Sequence, residues 1–104
     1  MKKVKDLKIG DIVYRLYDCS CLKLLKVKEI EEMKLDRELS VWYKIVLVQM
    51  DNSKWLTFNV YSEDIKFNEY DDINVTYFLN KEEVKDLLDN KFNKINESIK
   101  LLEE

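Results

Sequence analysis

Histidine and proline are absent from the 104-residue chain, glycine occurs once, at Gly10, and cysteine only at Cys19 and Cys21. Without histidine the chain lacks the commonest general base, the usual serine and cysteine triads and most catalytic metal sites. One glycine is too few for a phosphate-cradling loop or a dinucleotide fingerprint. The pair Cys19-Ser20-Cys21 would close a strained small ring, so no structural disulfide is read, and a zinc site needs about four ligands. Two reduced thiols are expected, with no metal and no cofactor. No run approaches the roughly 18 apolar residues of a membrane span. Lys2 and Lys3 are not followed by an apolar stretch of the signal-peptide kind, so a cytoplasmic protein is expected.

The hydrophobic fraction, 46%, is enough to fill a core, and the length suits one domain. Turns have to be built by Asn, Asp and Ser, whose side chains bond to nearby backbone. Charge is abundant, at 38% of residues, with a net value of -3. Residues 1 to 35 carry nine basic and six acidic side chains, 36 to 80 carry four and eight, and 81 to 104 carry five and seven. That distribution does not make the basic footprint of a committed duplex-DNA binder. Carboxylates are plentiful, but in so charged a chain most are solvated surface, and a non-enzymatic role is expected.

The organising stretch is Thr76 to Val84. Strand character ends there, Asn80 is suited to an N-cap, and Glu83 three residues later completes a capping box. The expectation is an α+β single domain, with a β region over 1–79 and a C-terminal amphipathic helix over 80–104. Gly10 marks a turn. Ile12 to Tyr17 alternates as a first strand, with Val13, Arg15 and Tyr17 on one face. In 22–35 the alternation around Leu25 to Lys28 slips by one residue at Glu29, the mark of a bulged strand, with a helix as the competing reading. Val41 to Met50 is a strand apolar on both faces from Ile45 to Val48, with the helix expected to cover it. Asp51-Asn52-Ser53 has hairpin chemistry, and Lys54 to Tyr61 turns Leu56, Phe58 and Val60 inward. Residues 62–74 form an acidic connection with a short strand near Asp64 to Phe67. Val75 to Leu79 closes the sheet.

From Lys81 to Leu102, Val84, Leu87, Leu88, Phe92, Ile95, Ile99 and Leu102 recur at steps of three and four. A helix that long outreaches a small barrel. Its distal residues Phe92, Ile95, Ile99 and Leu102 either lie along the chain's own sheet or pair across a homodimer.

Leu7-Lys8-Ile9-Gly10-Asp11-Ile12-Val13-Tyr14 near one end, with Thr76 to Val84 near the other, resembles a plan found in small proteins of phages and other mobile elements. The resemblance implies an SH3-like, strongly bent antiparallel sheet of about five strands followed by one helix. It further implies a phage-type protein, some of that build being inhibitors of bacterial defence enzymes, anti-CRISPRs included. It carries over no functional residues.

Three binding roles follow. Trp42, Trp55, Tyr61 and Tyr70 offer aromatic contact area for a host protein, although one or both tryptophans are candidates for burial under the helix. Glu63, Asp64, Glu69, Asp71 and Asp72 offer carboxylates that would mimic nucleic acid before a nuclease. Lys23, Lys26, Lys28 and Lys34, with Tyr14 or Tyr17 as stacking platforms, offer the alternative, direct nucleic-acid binding.

Overall fold

The computed structural model describes residues 1–18, 21–34, 41–70 and 72–103. A short 3-10 turn, Val4–Asp6, leads to β1 (Ile12–Tyr17), β2 (Cys21–Lys34), β3 (Val41–Gln49), β4 (Trp55–Tyr61), β5 (Lys66–Glu69), β6 (Asp72–Phe78) and α1 (Lys81–Glu103). The strands make one sheet in the order β4-β3-β2-β1-β6-β5, antiparallel at every pairing. The architecture is therefore α+β, a near-barrel sheet with a C-terminal helix, compatible with an SH3-like fold. It has six strands where about five were expected: the short strand read near Asp64 to Phe67 forms at Lys66–Glu69 and pairs with β6 as a full member of the sheet. The expected turn at 36–40 and the connection through Cys19 and Ser20 lie outside the described residues.

The bulge in β2 decides the curvature. Val27 stands opposite Leu47 and Glu29 opposite Val46, so Lys28 has no place in the ladder. An unpaired residue bends a strand and sharpens its twist. Before the bulge Leu25 and Val27 face inward; after it Ile30 takes that face, packed against the core. The strand reading of 22–34 thus holds over the helical one. Helix-forming side chains gain less from local propensity than from the core face that the alternation supplies.

Bending brings the two sheet edges together through side chains. Phe58 on β4 lies 5.1 Å from Phe67 on β5 and 4.7 Å from Tyr77 on β6, ring centre to ring centre, and Phe67 stacks on Tyr77 at 5.1 Å. Such aromatic pairs add to the gain from burying their area. The N-terminal turn seals the seam: Val4 and Lys5 donate backbone hydrogen bonds to the carbonyls of Asp64 and Ser62 at 2.9 and 3.0 Å. Val4, Val13, Leu25, Val27, Ile45, Leu47 and Tyr77 are all within 2% of complete burial. Each such aliphatic side chain is worth about 1.5–3 kcal/mol.

The turns use the expected chemistry. Gly10 adopts φ +93°, and Asn52 adopts φ 61° beside Asp51, whose side chain accepts from the Ser53 amide at 2.9 Å. Two expectations need correction. Asn80 stands before α1, but its amide pairs with the backbone of Lys2, and Oε2 of Glu83 is buried without a partner, so the anticipated reciprocal cap is replaced by a long-range clamp. The helix also does not cover β3. Val84 packs with Leu16 and Phe78, and with half-buried Tyr14, Leu87 and Leu88, so the first turns of α1 sit on β1 and β6. Outward-facing Val48 stands opposite Trp55, with the Lys28 ammonium over the indole at 2.9 Å. Neither tryptophan lies under the helix: Trp55 is 57% exposed, and Trp42 packs on Tyr61 at 5.8 Å.

Candidate functional site

Alternation and register bring polar side chains to one end of the sheet, where the β1–β2, β3–β4 and β5–β6 connections meet. Arg15 shares its face with Val13, so it points into the concave side, opposite Lys23 on β2 and Tyr77 on β6. Arg15, Lys23, Leu25, Gln49, Lys54, Leu56 and Glu69 line a cavity of about 110 Å³ there. Arg15 donates from Nη2 to Glu69 at 3.1 Å and from Nε to the Tyr77 hydroxyl at 3.3 Å. Burial pushes the Tyr77 phenol up to about 12.

This arrangement is electrostatically unbalanced. Like charges directly across a ladder repel, and Arg15 faces Lys23. Glu69 answers one of the three cations, while Lys23 and Lys54 make no ion pair among the described residues. Leu25 and Leu56 add apolar surface to the same cavity, while Lys23 and Lys54 remain exposed.

Exposed apolar side chains also gather at this end of the sheet, on both of its faces. Tyr17, Met50, Trp55, Tyr70 and Ile73 are each about half exposed or more, the last two at 80%. Tyr70 also holds φ 45°. A bulky side chain in the left-handed region costs about 1–2 kcal/mol, and such residues concentrate where function needs them.

The sequence-derived sites divide on this geometry. Trp55, Tyr70 and Glu69 come together at the turn end; Tyr61 is half-buried against Trp42 elsewhere. The acidic set is not a free array. Glu63 bridges Lys3 and Lys5 at 2.6 and 2.9 Å, and its carboxyl is held below the usual range by the Lys3 contact first and then by Lys5. Glu69 is engaged by Arg15, Asp72 accepts from the Asn74 amide at 2.9 Å, and Asp64 is half-buried beside the N-terminal turn. Asp71 and the side chain of Lys34 lie outside the described residues. The lysines of β2 separate as well: Lys23 faces the concave side, Lys26 the convex, and Lys28 lies on Trp55. Of the proposed stacking platforms, Tyr17 is exposed at the turn end and Tyr14 packs beside the helix. On α1, Phe92, Ile95, Ile99 and Leu102 are exposed.

Arg15, Gln49 and Lys54 were not singled out from the sequence. The alternation of the first strand put Arg15 on the same face as Val13, and the structure makes that the core face, an unusual place for a guanidinium. Nothing short of the strand pairing sets Lys54 beside it. No group of three or more metal-ligating side chains occurs among the described residues, and none of their helices is long and apolar enough to cross a membrane. The thiol of Cys21 is exposed and has no partner among the described residues.

Neither a protein-family model, nor a curated protein, nor a solved structure matches the chain.

Proposed function

We propose that this chain is a non-enzymatic protein-binding module whose site is the turn end of the sheet, and that its partner presents an acidic side chain between apolar ones. The observation that carries the reading is the cluster of Arg15, Lys23 and Lys54 in one cavity, at the end of the sheet that also exposes Tyr70 and Ile73, with Trp55 on its outer face. A carboxylate entering the cavity would relieve the repulsion between Arg15 and Lys23. Flanking apolar groups would cover the aromatic rim, the residue types that dominate interface energetics. The resemblance of the chain's two ends to small phage and mobile-element proteins supports a host protein as that partner, and interference with it, in the manner of an anti-CRISPR acting on a defence nuclease, as the result.

The test is affinity capture from bacterial lysate, with and without nuclease. The baits are the wild type, a Lys23→Glu, Lys54→Glu double variant and a Trp55→Ala, Tyr70→Gly double variant. The expected result is one stoichiometric protein that survives nuclease, is lost from both variants and elutes with moderate salt. A captured protein indifferent to both variants overturns the choice of surface. Recovery of nucleic acid, or of proteins lost on nuclease treatment, replaces the reading with direct nucleic-acid binding through Lys23, Lys26 and Lys28.

A further inference from the structure

A second surface, on the other side of the sheet, is built differently. Tyr14, Leu22 and Leu24 on the sheet, with Val84, Lys85 and Leu88 on α1, line an open, mostly apolar groove of about 400 Å³. Leu22 and Leu24 are 41% and 44% exposed, high for leucines on a sheet face beside a helix. Beyond the groove α1 runs clear of the sheet, and the molecule reaches 62 Å in its longest dimension. Among the described residues its distal apolar side chains stay largely exposed: Phe92 is 64% exposed, Ile95 49%, Ile99 46% and Leu102 87%.

The stripe and the groove face the same way. At roughly 100° per residue, Phe92, Ile95 and Ile99 fall in the sector of the helix that holds Leu88 and borders Lys85, the groove's open side. A second helix lying along that sector touches the distal stripe and the groove at once.

We propose that this occupant is a second copy of the chain, α1 packing antiparallel on α1, so that each copy's distal stripe fills the other's groove. Three arguments favour a second copy. First, the surface is self-complementary: with Phe92 of one copy beside Ile95 of the other, Leu88 meets Ile99, and the C-terminal turn reaches the groove wall at Leu22 and Leu24. Glu103 falls on the same side as Lys85 and is brought toward it. Second, the available apolar area approaches that of a standard interface. The exposed parts of Leu22, Leu24, Phe92, Ile95, Ile99 and Leu102 amount to roughly 650 Å² per copy, taking ~200 Å² for a free large apolar side chain, against the ~800 Å² per partner of a standard interface. Third, the distal stripe follows a heptad seam for only about two heptads, too short to hold a coiled coil unaided, so groove contacts are needed. A parallel pair would unite the two distal stripes and leave both grooves open. The antiparallel pair closes both and sets the helix dipoles in opposition.

The test is sedimentation equilibrium of the full chain from low micromolar concentration upward, with three kinds of variant. The wild type is expected to approach twice its 12.6 kDa mass. Phe92→Asp, on exposed helix surface, and Leu24→Arg, in the groove, are each expected to raise the dissociation constant at least tenfold with circular dichroism unchanged. For orientation, in a Cys19→Ser, Cys21→Ser background, a mixture of Leu88→Cys and Ile99→Cys chains should give a mixed disulfide, while Ile99→Cys alone should give none. A chain monomeric throughout the range overturns the proposal. So does a dimer indifferent to Leu24→Arg, or one that cross-links Ile99 to Ile99.

Discussion

The side-chain amide of Asn80 grips the backbone of Lys2 at both ends, Oδ1 accepting from the Lys2 N–H at 2.9 Å and Nδ2 donating to the Lys2 carbonyl at 3.1 Å. The pair joins the residue before α1 to the N-terminal segment, and it copies the two-bond pairing of a strand ladder with one side chain. Asn80 is 8% exposed, so these bonds are partly shielded from water. Asn80→Ala is expected to lower stability by about 1–2 kcal/mol in urea unfolding. Asn80→Asp separates clamp from cap. Aspartate is as good an N-cap as asparagine, but it loses the donor and turns a carboxylate toward the Lys2 carbonyl. It should recover less than half of the loss; full recovery would assign Asn80 to capping alone.

Tyr77 sets the alkaline limit. Its phenol is raised from 10.0 to about 12 in the fold, chiefly by burial. A raised pKa contributes stability that is complete below the unfolded value and is lost as pH climbs through the folded one. Stability should therefore fall between pH 10 and pH 12 by about 2–3 kcal/mol, and Tyr77→Phe should flatten that slope. Phenolate absorbance of the native protein should show one of the six tyrosines ionising late.

Tyr70 should trade stability against binding. Its φ of 45° suits glycine, and its side chain is 80% exposed. Tyr70→Gly is expected to leave thermal stability unchanged or raise it by up to about 1 kcal/mol, relief of the left-handed strain offsetting the entropy of an added glycine. The same variant should weaken partner capture. A clear loss of stability would show that Tyr70 is a packing residue instead.

Gly10 is a backbone requirement with no steric neighbour. A Cβ placed there meets nothing within 4 Å, yet φ is +93° and the amide donates to the Val27 carbonyl at 2.8 Å. Gly10→Ala should cost about 1–2 kcal/mol through backbone strain alone, and Gly10→Asn distinctly less, because asparagine tolerates left-handed conformations.

Much of the fold was legible because local patterns agree with the packing. The alternation from Ile12 to Tyr17, the slip at Glu29, the inward set Leu56, Phe58 and Val60 and the stripe of α1 each correspond to an observed element. What was not legible depends on pairing between distant segments. The acids of 62–74 look free in the sequence, but Glu63 and Glu69 meet Lys3, Lys5 and Arg15 only once the edges curl together. For the same reason the cavity at the turn end was invisible, since Arg15 lies on β1, Glu69 on β5 and Lys54 just before β4. Coverage of β3 was misassigned because Ile45 to Val48 called for a large apolar lid, and a tryptophan under a lysine supplied part of one across the strand.

The unpaired Lys28 gives β2 two reading frames. Up to Val27 it is the odd-numbered Leu25 and Val27 that face the core, and after the bulge it is the even-numbered Ile30. A one-residue deletion there would not simply shorten the strand. It would merge the frames, straighten the ladder and draw Phe58 away from Phe67, uncovering the two edges that β4 and the short β5 already present at the ends of the sheet. One residue of surplus length thus turns the two free edges toward each other, so that aromatic side chains rather than backbone bonds join them.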